Sequence, residues 1–175
     1  MADNGILLET GTNELELLEF IVDGQSIGVN VAKIQTIQQF NPTLVTKVPM
    51  APTEVEGTLL FRQRTIPLID LARQFHLHGR GRKTQAIKPD QRICLVMEFN
   101  NVTTAFLVDG VRRIHRISWD NISPLNPYLA DCSAEFTGSV NIEGREILIA
   151  DMERIVAELI RSEERRVGKE CRSRW

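Results

Sequence analysis

The sequence predicts an all-β protein built on a duplicated unit of about eighty residues, its strands closing into barrels or packing as a sandwich. Two observations carry that expectation. The first is internal similarity: the segment Gly57–Leu71 aligns without a gap on Gly138–Met152, an offset of 81 positions (138 minus 57), so that Gly57 meets Gly138, Arg64 meets Arg145 and Asp70 meets Asp151. A weaker echo pairs Gly28–Val31 with Ala105–Val108 and Ile37 with Ile114, at an offset of 77 (105 minus 28). The second is the recurrence of short runs rich in Val, Ile, Leu and Phe, punctuated by Asp, Asn and Gly. Such pairs suit tight hairpins because those turns need positive φ angles.

In chain order the expected strands are Leu18–Val22, Gln25–Asn30, Val55–Phe61, Thr65–Ile69, Ile93–Phe99, Thr103–Val108, Val111–Ile117, Phe136–Ile142 and Glu146–Ala150. Asp23-Gly24, Gln63-Arg64, Asn100-Asn101, Asp109-Gly110 and Glu143-Gly144 are the expected turns. Helical signal is sparse. Val31–Ile34 reads as a single turn, and Leu71–Phe75 as a short helix behind Asp70. Met152–Ile160 carries Met152, Ile155, Val156 and Leu159 on one stripe, with Asp151 placed to cap it. Between the halves, His76–Gln91 is polar, basic and glycine-bearing, which reads as a surface loop.

The last fifteen residues, Arg161–Trp175, look like the translation of a sequencing-adapter oligonucleotide and are set aside from fold reasoning as non-native. The remaining 1–160 fit one globular unit of two halves. It holds 15 basic residues (21 minus 6) and 20 acidic ones (23 minus 3), a formal charge of about −5. An acidic balance argues against nucleic acid as partner, since that affinity rests on a basic face. Cys94 and Cys132 lie among apolar or small neighbours without a metal-ligand or redox spacing, and read as buried and reduced. No apolar run approaches the roughly 18 residues of a membrane span, so direct membrane insertion is not expected. The expected location is the cytoplasm.

Candidate chemistry is thin. Asp70 and Asp151 occupy equivalent repeat positions, as a carboxylate dyad would. Neither is followed by Thr-Gly or Ser-Gly and both precede helical patterns, so capping is the preferred reading. His76 and His78 could ligate a metal, but no further His or Cys lies nearby in sequence. Arg80, Arg82, Lys83 and Lys88 could touch phosphate, though charges in such a loop commonly serve solubility. There is no phosphate-binding glycine loop, no GxSxG and no nucleophile beside an evident base. No catalytic residue, metal site or cofactor is therefore expected, and an interaction module is favoured over an enzyme. The alternative is a tandem β-barrel that binds a small ligand or metal, with catalysis as an option.

The runs Glu19–Val22, Ile27–Ile37, Val55–Arg62, Thr65–Leu71 and Phe106–Val111 resemble the CheW family of bacterial chemotaxis coupling proteins. Ile6–Glu16 and Ile114–Trp119 are more specifically similar to the N-terminal module of CheV, in which that module precedes a phosphorylatable receiver domain. The resemblance covers Ile6 to Ile160. It implies two SH3-like five-stranded barrels, the first over roughly 14–75 and the second over roughly 91–152, with elements exchanged near the ends and short helices including one at the C-terminus. It also implies a cytoplasmic adaptor at receptor arrays on the inner face of the membrane, joining chemoreceptor tips to the regulatory domain of the histidine kinase CheA. By position, the implied partner-binding residues are Val31, Ile34 and Arg62, with Ile93 and Val108 completing a groove from the second half. Two positions depart from the family pattern. Leu60-Phe61-Arg62-Gln63 stands where Asn-Leu-Arg-Gly is common, so the turn lacks its glycine, and Thr36 stands where an acidic partner for the arginine is common.

Overall fold

A computed structural model describes residues 13–75, 91–126 and 135–173, with side chains through Arg165 in the last helix. The strands are β1 (Glu14–Val22), β2 (Gln25–Asn30), β3 (Ile34–Gln39), β4 (Val45–Thr46), β5 (Val55–Phe61), β6 (Arg64–Asp70), β7 (Ile93–Phe99), β8 (Val102–Val108), β9 (Gly110–Ser118), β10 (Phe136–Ile142) and β11 (Arg145–Ala150). Two α-helices, α1 (Leu71–Gln74) and α2 (Met152–Ser173), follow β6 and β11, and 3-10 turns occupy Val31–Lys33, Pro42–Leu44 and Trp119–Asn121.

Four hairpins share one turn geometry. Asp23-Gly24, Arg62-Gln63, Asn100-Asn101 and Glu143-Gly144 each place both central residues at positive φ, the two-residue form whose twist matches that of the flanking strands. The expected turn at Gln63-Arg64 is shifted by one residue, to Arg62-Gln63, because Phe61 pairs with Arg64 across β5 and β6. Here two ordinary L-residues sit at φ 45° and 63° without glycine, a conformation that costs roughly 1–2 kcal/mol per residue. The expected turn at Asp109-Gly110 is no hairpin: β8 and β9 belong to different sheets, and Asp109 alone carries the chain between them.

The sheet orders are β3-β7-β8-β6-β5-β4 for the first barrel and β10-β11-β2-β1-β9 for the second. Each barrel therefore contains the opening hairpin of the other half. Hairpin β7–β8 sits beside β3 and, in parallel, beside β6; hairpin β1–β2 sits beside β9 and, in parallel, beside β11. Short connections carry the exchange: Val31–Lys33 is all that joins β2 to β3, and Asp109 alone joins β8 to β9. The first barrel also gains β4, which pairs with β5 over only two residues.

Three apolar cores result. Leu59, Leu68, Cys94, Val96, Ala105 and Leu107 fill the first barrel, and Leu15, Leu17, Ile117, Val140, Ile147 and Ile149 fill the second. The largest core lies between the barrels, with Phe20, Val29, Ile69, Leu95, Met97, Phe106, Val108, Met152 and Ile155 among its members. Strands β7 and β8 are thus buried on both faces, which is why they read as nearly continuous apolar runs instead of alternating ones.

The repeat glycines Gly57 and Gly138 both stand at bulges, between Val55 and Gly57 against β6 and between Phe136 and Gly138 against β11. A Cβ on Gly57 would lie 2.4 Å from the carbonyl oxygen of Thr46, and one on Gly138 2.7 Å from that of Ser123. Both positions exclude a side chain because backbone crosses there. The repeat aspartates each cap their own helix. Asp70 accepts from the N–H groups of Ala72 at 3.0 Å and Arg73 at 3.4 Å, and Asp151 accepts from Arg154 at 3.1 Å. They share no partner and form no dyad.

Candidate partner-binding surface

The five residues implied by the resemblance do not form one patch. Val31 and Ile34 flank the 3-10 turn that carries the chain from β2 to β3, and both are half-buried against the inter-barrel core. Ile93 is half-buried against the same core but lies at the opposite end of β7, since Ile34 pairs with Met97 and Gln39 with Ile93. Val108, the cross-strand neighbour of Ile93, is fully buried. That corrects its expected place in an exposed groove: as the last residue of β8, it is roofed by the second barrel where the chain crosses over.

Arg62 projects from the β5–β6 turn, which lies at the same end of the first barrel as Ile34. Its guanidinium carbon stands 5.0 Å from the ring centroid of Phe61, and among the described residues it makes no ion pair. Thr36 offers no carboxylate, and none replaces it. His76, His78, Arg80, Arg82, Lys83, Lys88 and Cys132 lie outside the described residues. Cys94 is fully buried in the first barrel, where burial pushes its thiol up to about 12 against the smaller opposing effect of Arg92.

Features beyond those five emerge from the fold. A groove of about 410 Å³ runs between hairpin β1–β2, the tip of β7–β8 and the start of α2, lined by Leu15, Phe99, Trp119, Ile122 and Met152 with Lys33 at its lip. Trp119 is half exposed, as are Ile37 on β3 and Ile114 on β9. A second groove of about 260 Å³ lies where Val156, Leu159 and Ile160 of α2 face Val48, Pro67 and Val102. Sequence signals for these were weak. Trp119 is a lone aromatic, and β3, with three glutamines among its six residues, falls outside the usual strand composition.

Charged groups are used internally. Glu19 is fully buried on the inner face of β1, accepting from His115 Nε2 at 2.7 Å, Ser26 Oγ at 3.0 Å and Arg145 at 2.9 Å. Burial alone would raise its pKa, yet the hydrogen bonds from His115, Ser26 and Arg145, with the charge of Arg145, outweigh that and hold it below the ordinary 4.5. Among the described residues, no group of three or more His, Cys, Asp or Glu is arranged to hold a metal ion. Among the described residues, no helix is long and apolar enough to cross a membrane.

Two barrels fused through a shared core, with apolar grooves at their seam, define a paired-barrel interaction module. The CheW-like domain model matches residues 16–159, and the chain belongs to that family. It is 33% identical over 169 residues to chemotaxis protein CheV3 of Helicobacter pylori, covering 90% of this chain and 52% of that protein. It is also 28% identical over 156 residues to chemotaxis protein CheW of Thermotoga maritima, covering 87% of this chain and 94% of that one. The chain thus spans about half the length of the CheV relative and nearly all of the CheW relative. Among solved structures, the scaffolding protein TtCheW from Thermoanaerobacter tengcongensis superposes with a TM-score of 0.67 at 22% identity, over 78% of this chain and 88% of that one, which establishes the shared fold.

Proposed function

We propose that this chain is a non-catalytic chemotaxis scaffold that couples the cytoplasmic tips of chemoreceptors to the regulatory domain of the kinase CheA. It would act in the cytoplasm, at receptor arrays on the inner face of the membrane. The observation that carries the reading is the family match, which extends across both barrels and their seam. The physics agrees with it. A receptor tip is helical, and a helix docks by placing a few apolar anchors into a groove. Val31 and Ile34, half-buried against the inter-barrel core, offer apolar contacts for such anchors, with exposed Arg62 at the same end of the first barrel. Ile93, at the far end of β7, would serve a separate contact. The proposed partner-binding set is therefore Val31, Ile34 and Arg62, with Ile93 apart from them.

Co-sedimentation with receptor cytoplasmic fragments and purified CheA tests the proposal. The expected result is a ternary complex in which kinase activity depends on this chain. Failure to bind either partner, with the chain folded by circular dichroism, would overturn it.

A further inference from the structure

The chain passes between the barrels twice, and the two passages are held differently. β2 crosses to β3 through Val31–Lys33, and β8 crosses to β9 through Asp109. At the second crossing, Arg92 reaches out from the start of β7. Its two terminal nitrogens lie 3.3 and 3.2 Å from the two carboxylate oxygens of Asp70, a bidentate pair, and its Nε lies 3.5 Å from Asp109 Oδ1. Asp109 in turn accepts the N–H of Asp23, in the β1–β2 turn, at 2.6 Å, and donates its own N–H to the Ile21 carbonyl at 2.9 Å. Asp70 is almost fully buried and Arg92 largely so. A chain of contacts therefore runs from the α1 cap in the first barrel, through Arg92, whose Nε makes an ion pair but no hydrogen bond with Asp109, and through Asp109 to the exchanged hairpin of the second.

The duplication supplies an internal control. At the offset of 77, Leu15 stands where Arg92 stands and Ala32 stands where Asp109 stands, so the first crossing has neither the guanidinium nor the carboxylate, and its tie is instead an exposed hydrogen bond that Asn100 Nδ2 of the β7–β8 turn donates to Glu153 Oε1 of α2 at 2.8 Å. Asp151, the counterpart of Asp70, caps α2 and pairs with no arginine among the described residues. We propose that Arg92 is a positioning residue that pins the barrels to each other at Asp109, leaving the Val31–Lys33 crossing as the compliant one. A partner seated at Val31 and Ile34 then acts at the end of β7 opposite the one that Arg92 holds, so that contact there turns one barrel against a fixed point. The consequence for binding rests on the coupling reading above; the clasp itself does not.

The test uses the full chain with Cys132→Ser and Cys171→Ser, and spin labels at Thr65→Cys in the first barrel and Glu146→Cys in the second, both exposed positions. Cys94 is buried and left in place. Pulsed electron resonance should give one narrow distance in the parent and in Arg92→Lys, and a broadened distribution in Arg92→Leu, the residue at the equivalent position of the first half. Asp109→Asn keeps the Arg92–Asp70 pair and weakens only the link to the crossing, so it should broaden the distance even if Arg92→Leu fails to fold. Affinity for a receptor cytoplasmic fragment should fall about tenfold in Asp109→Asn, a coupling of ordinary size. An unbroadened distance in folded Asp109→Asn overturns the clasp. Broadening in a chain whose parent binds no receptor fragment upholds the clasp and removes the coupling reading instead.

Discussion

Glu19 of β1 and His115 of β9 meet at 2.7 Å inside the second barrel, at the place where the first barrel holds Val96 against apolar neighbours. The turns Asp23-Gly24 and Asn100-Asn101 correspond at an offset of 77, which makes Glu19 the counterpart of Val96, Ser26 that of Thr103 and His115 that of Gln38. One barrel is closed by hydrocarbon and its duplicate by a carboxylate. That carboxylate ties together β1, β2, β9 and β11, two strands from each half of the sequence.

Removing it should be costly. Glu19→Ala leaves His115 and Arg145 partly buried without their acceptor and should destabilise the fold by about 3–5 kcal/mol at neutral pH. The pH dependence follows from the lowered pKa. Glu19's contribution is complete above its ordinary 4.5 and is lost as the pH falls from there through the lower folded value. Thermal melts of Glu19→Gln and the parent, run from pH 7 to pH 3, should therefore converge at the acid end. A gap that stays constant over that range would show that the Glu19 carboxylate does not carry the acid-dependent stability.

Gln63→Gly should raise stability by about 1 kcal/mol. Gln63 occupies φ 63° beside Arg62 at φ 45°, and glycine adopts that region without the Cβ penalty, although it loses more entropy on folding. A melting temperature higher by a few degrees is expected. An unchanged or lower value would mean that the turn is not strained in solution.

Gly57→Ala and Gly138→Ala should both destabilise, each by about 2–3 kcal/mol, because a methyl group at either position meets a carbonyl oxygen that belongs to the barrel's own backbone. Gly144, whose Cβ position is open, isolates the backbone contribution: Gly144→Ala should cost only the strain of its φ of 77°. Denaturant midpoints of the three variants rank the effects, and a larger loss for Gly144→Ala than for Gly57→Ala would contradict the close-approach account.

Much of the architecture was legible in the sequence, for a physical reason. A duplicated strand pattern with two-residue turns repeats its chemistry, so Gly57 with Gly138 announced equivalent positions and Asp70 with Asp151 equivalent caps, whereas the bulges at the two glycines emerged only from the strand pairing. The resemblance implied only that elements are exchanged near the ends of barrels over 14–75 and 91–152; that whole opening hairpins are exchanged was not readable from the residues, because β2 finds β11 and β6 finds β8 in parallel pairs whose partners no local pattern names. Nor could periodicity separate Val108 from Ile93, since both stand in strands with apolar residues on both faces, and only the roof of the second barrel distinguishes them. Glu19 did leave a signal, a single charge in the run Leu17-Leu18-Glu19-Phe20, which gains meaning once it is set against Val96.

Truncation after Ile160 should leave the melting temperature nearly unchanged. α2 continues to Ser173, but Arg161–Arg165 are exposed, and among the residues whose side chains are described the apolar contacts of the helix with the inter-barrel core come from Met152, Ile155, Val156 and Leu159. Surface segments without burial contribute little to stability. A loss of many degrees would show that the last turns of the helix belong to the fold.

The partner-binding surface is tested by a pair of substitutions with opposite structural risk. Arg62 is exposed, and its described side-chain contact is the Phe61 ring, a cation–π pair of about 0.5–1 kcal/mol at an exposed site. Arg62→Ala should therefore melt within a few degrees of the parent while weakening partner binding by about 1–3 kcal/mol, the range for losing a charged hydrogen bond across an interface. Ile34 is half-buried beside the inter-barrel core, so Ile34→Asp places a carboxylate at a site that is desolvated once a partner helix seats. Its cost to the free chain should be about 1–2 kcal/mol and its cost to the complex several. Ile34→Ala, which removes packing without adding charge, separates the two effects and should bind better than Ile34→Asp at similar stability. Isothermal titration with a receptor cytoplasmic fragment, beside melts of all three variants, decides the matter. If Ile34→Asp unfolds near room temperature, Ile34 is a core residue of the seam; if all three variants bind as the parent does, the receptor docks elsewhere on the barrels.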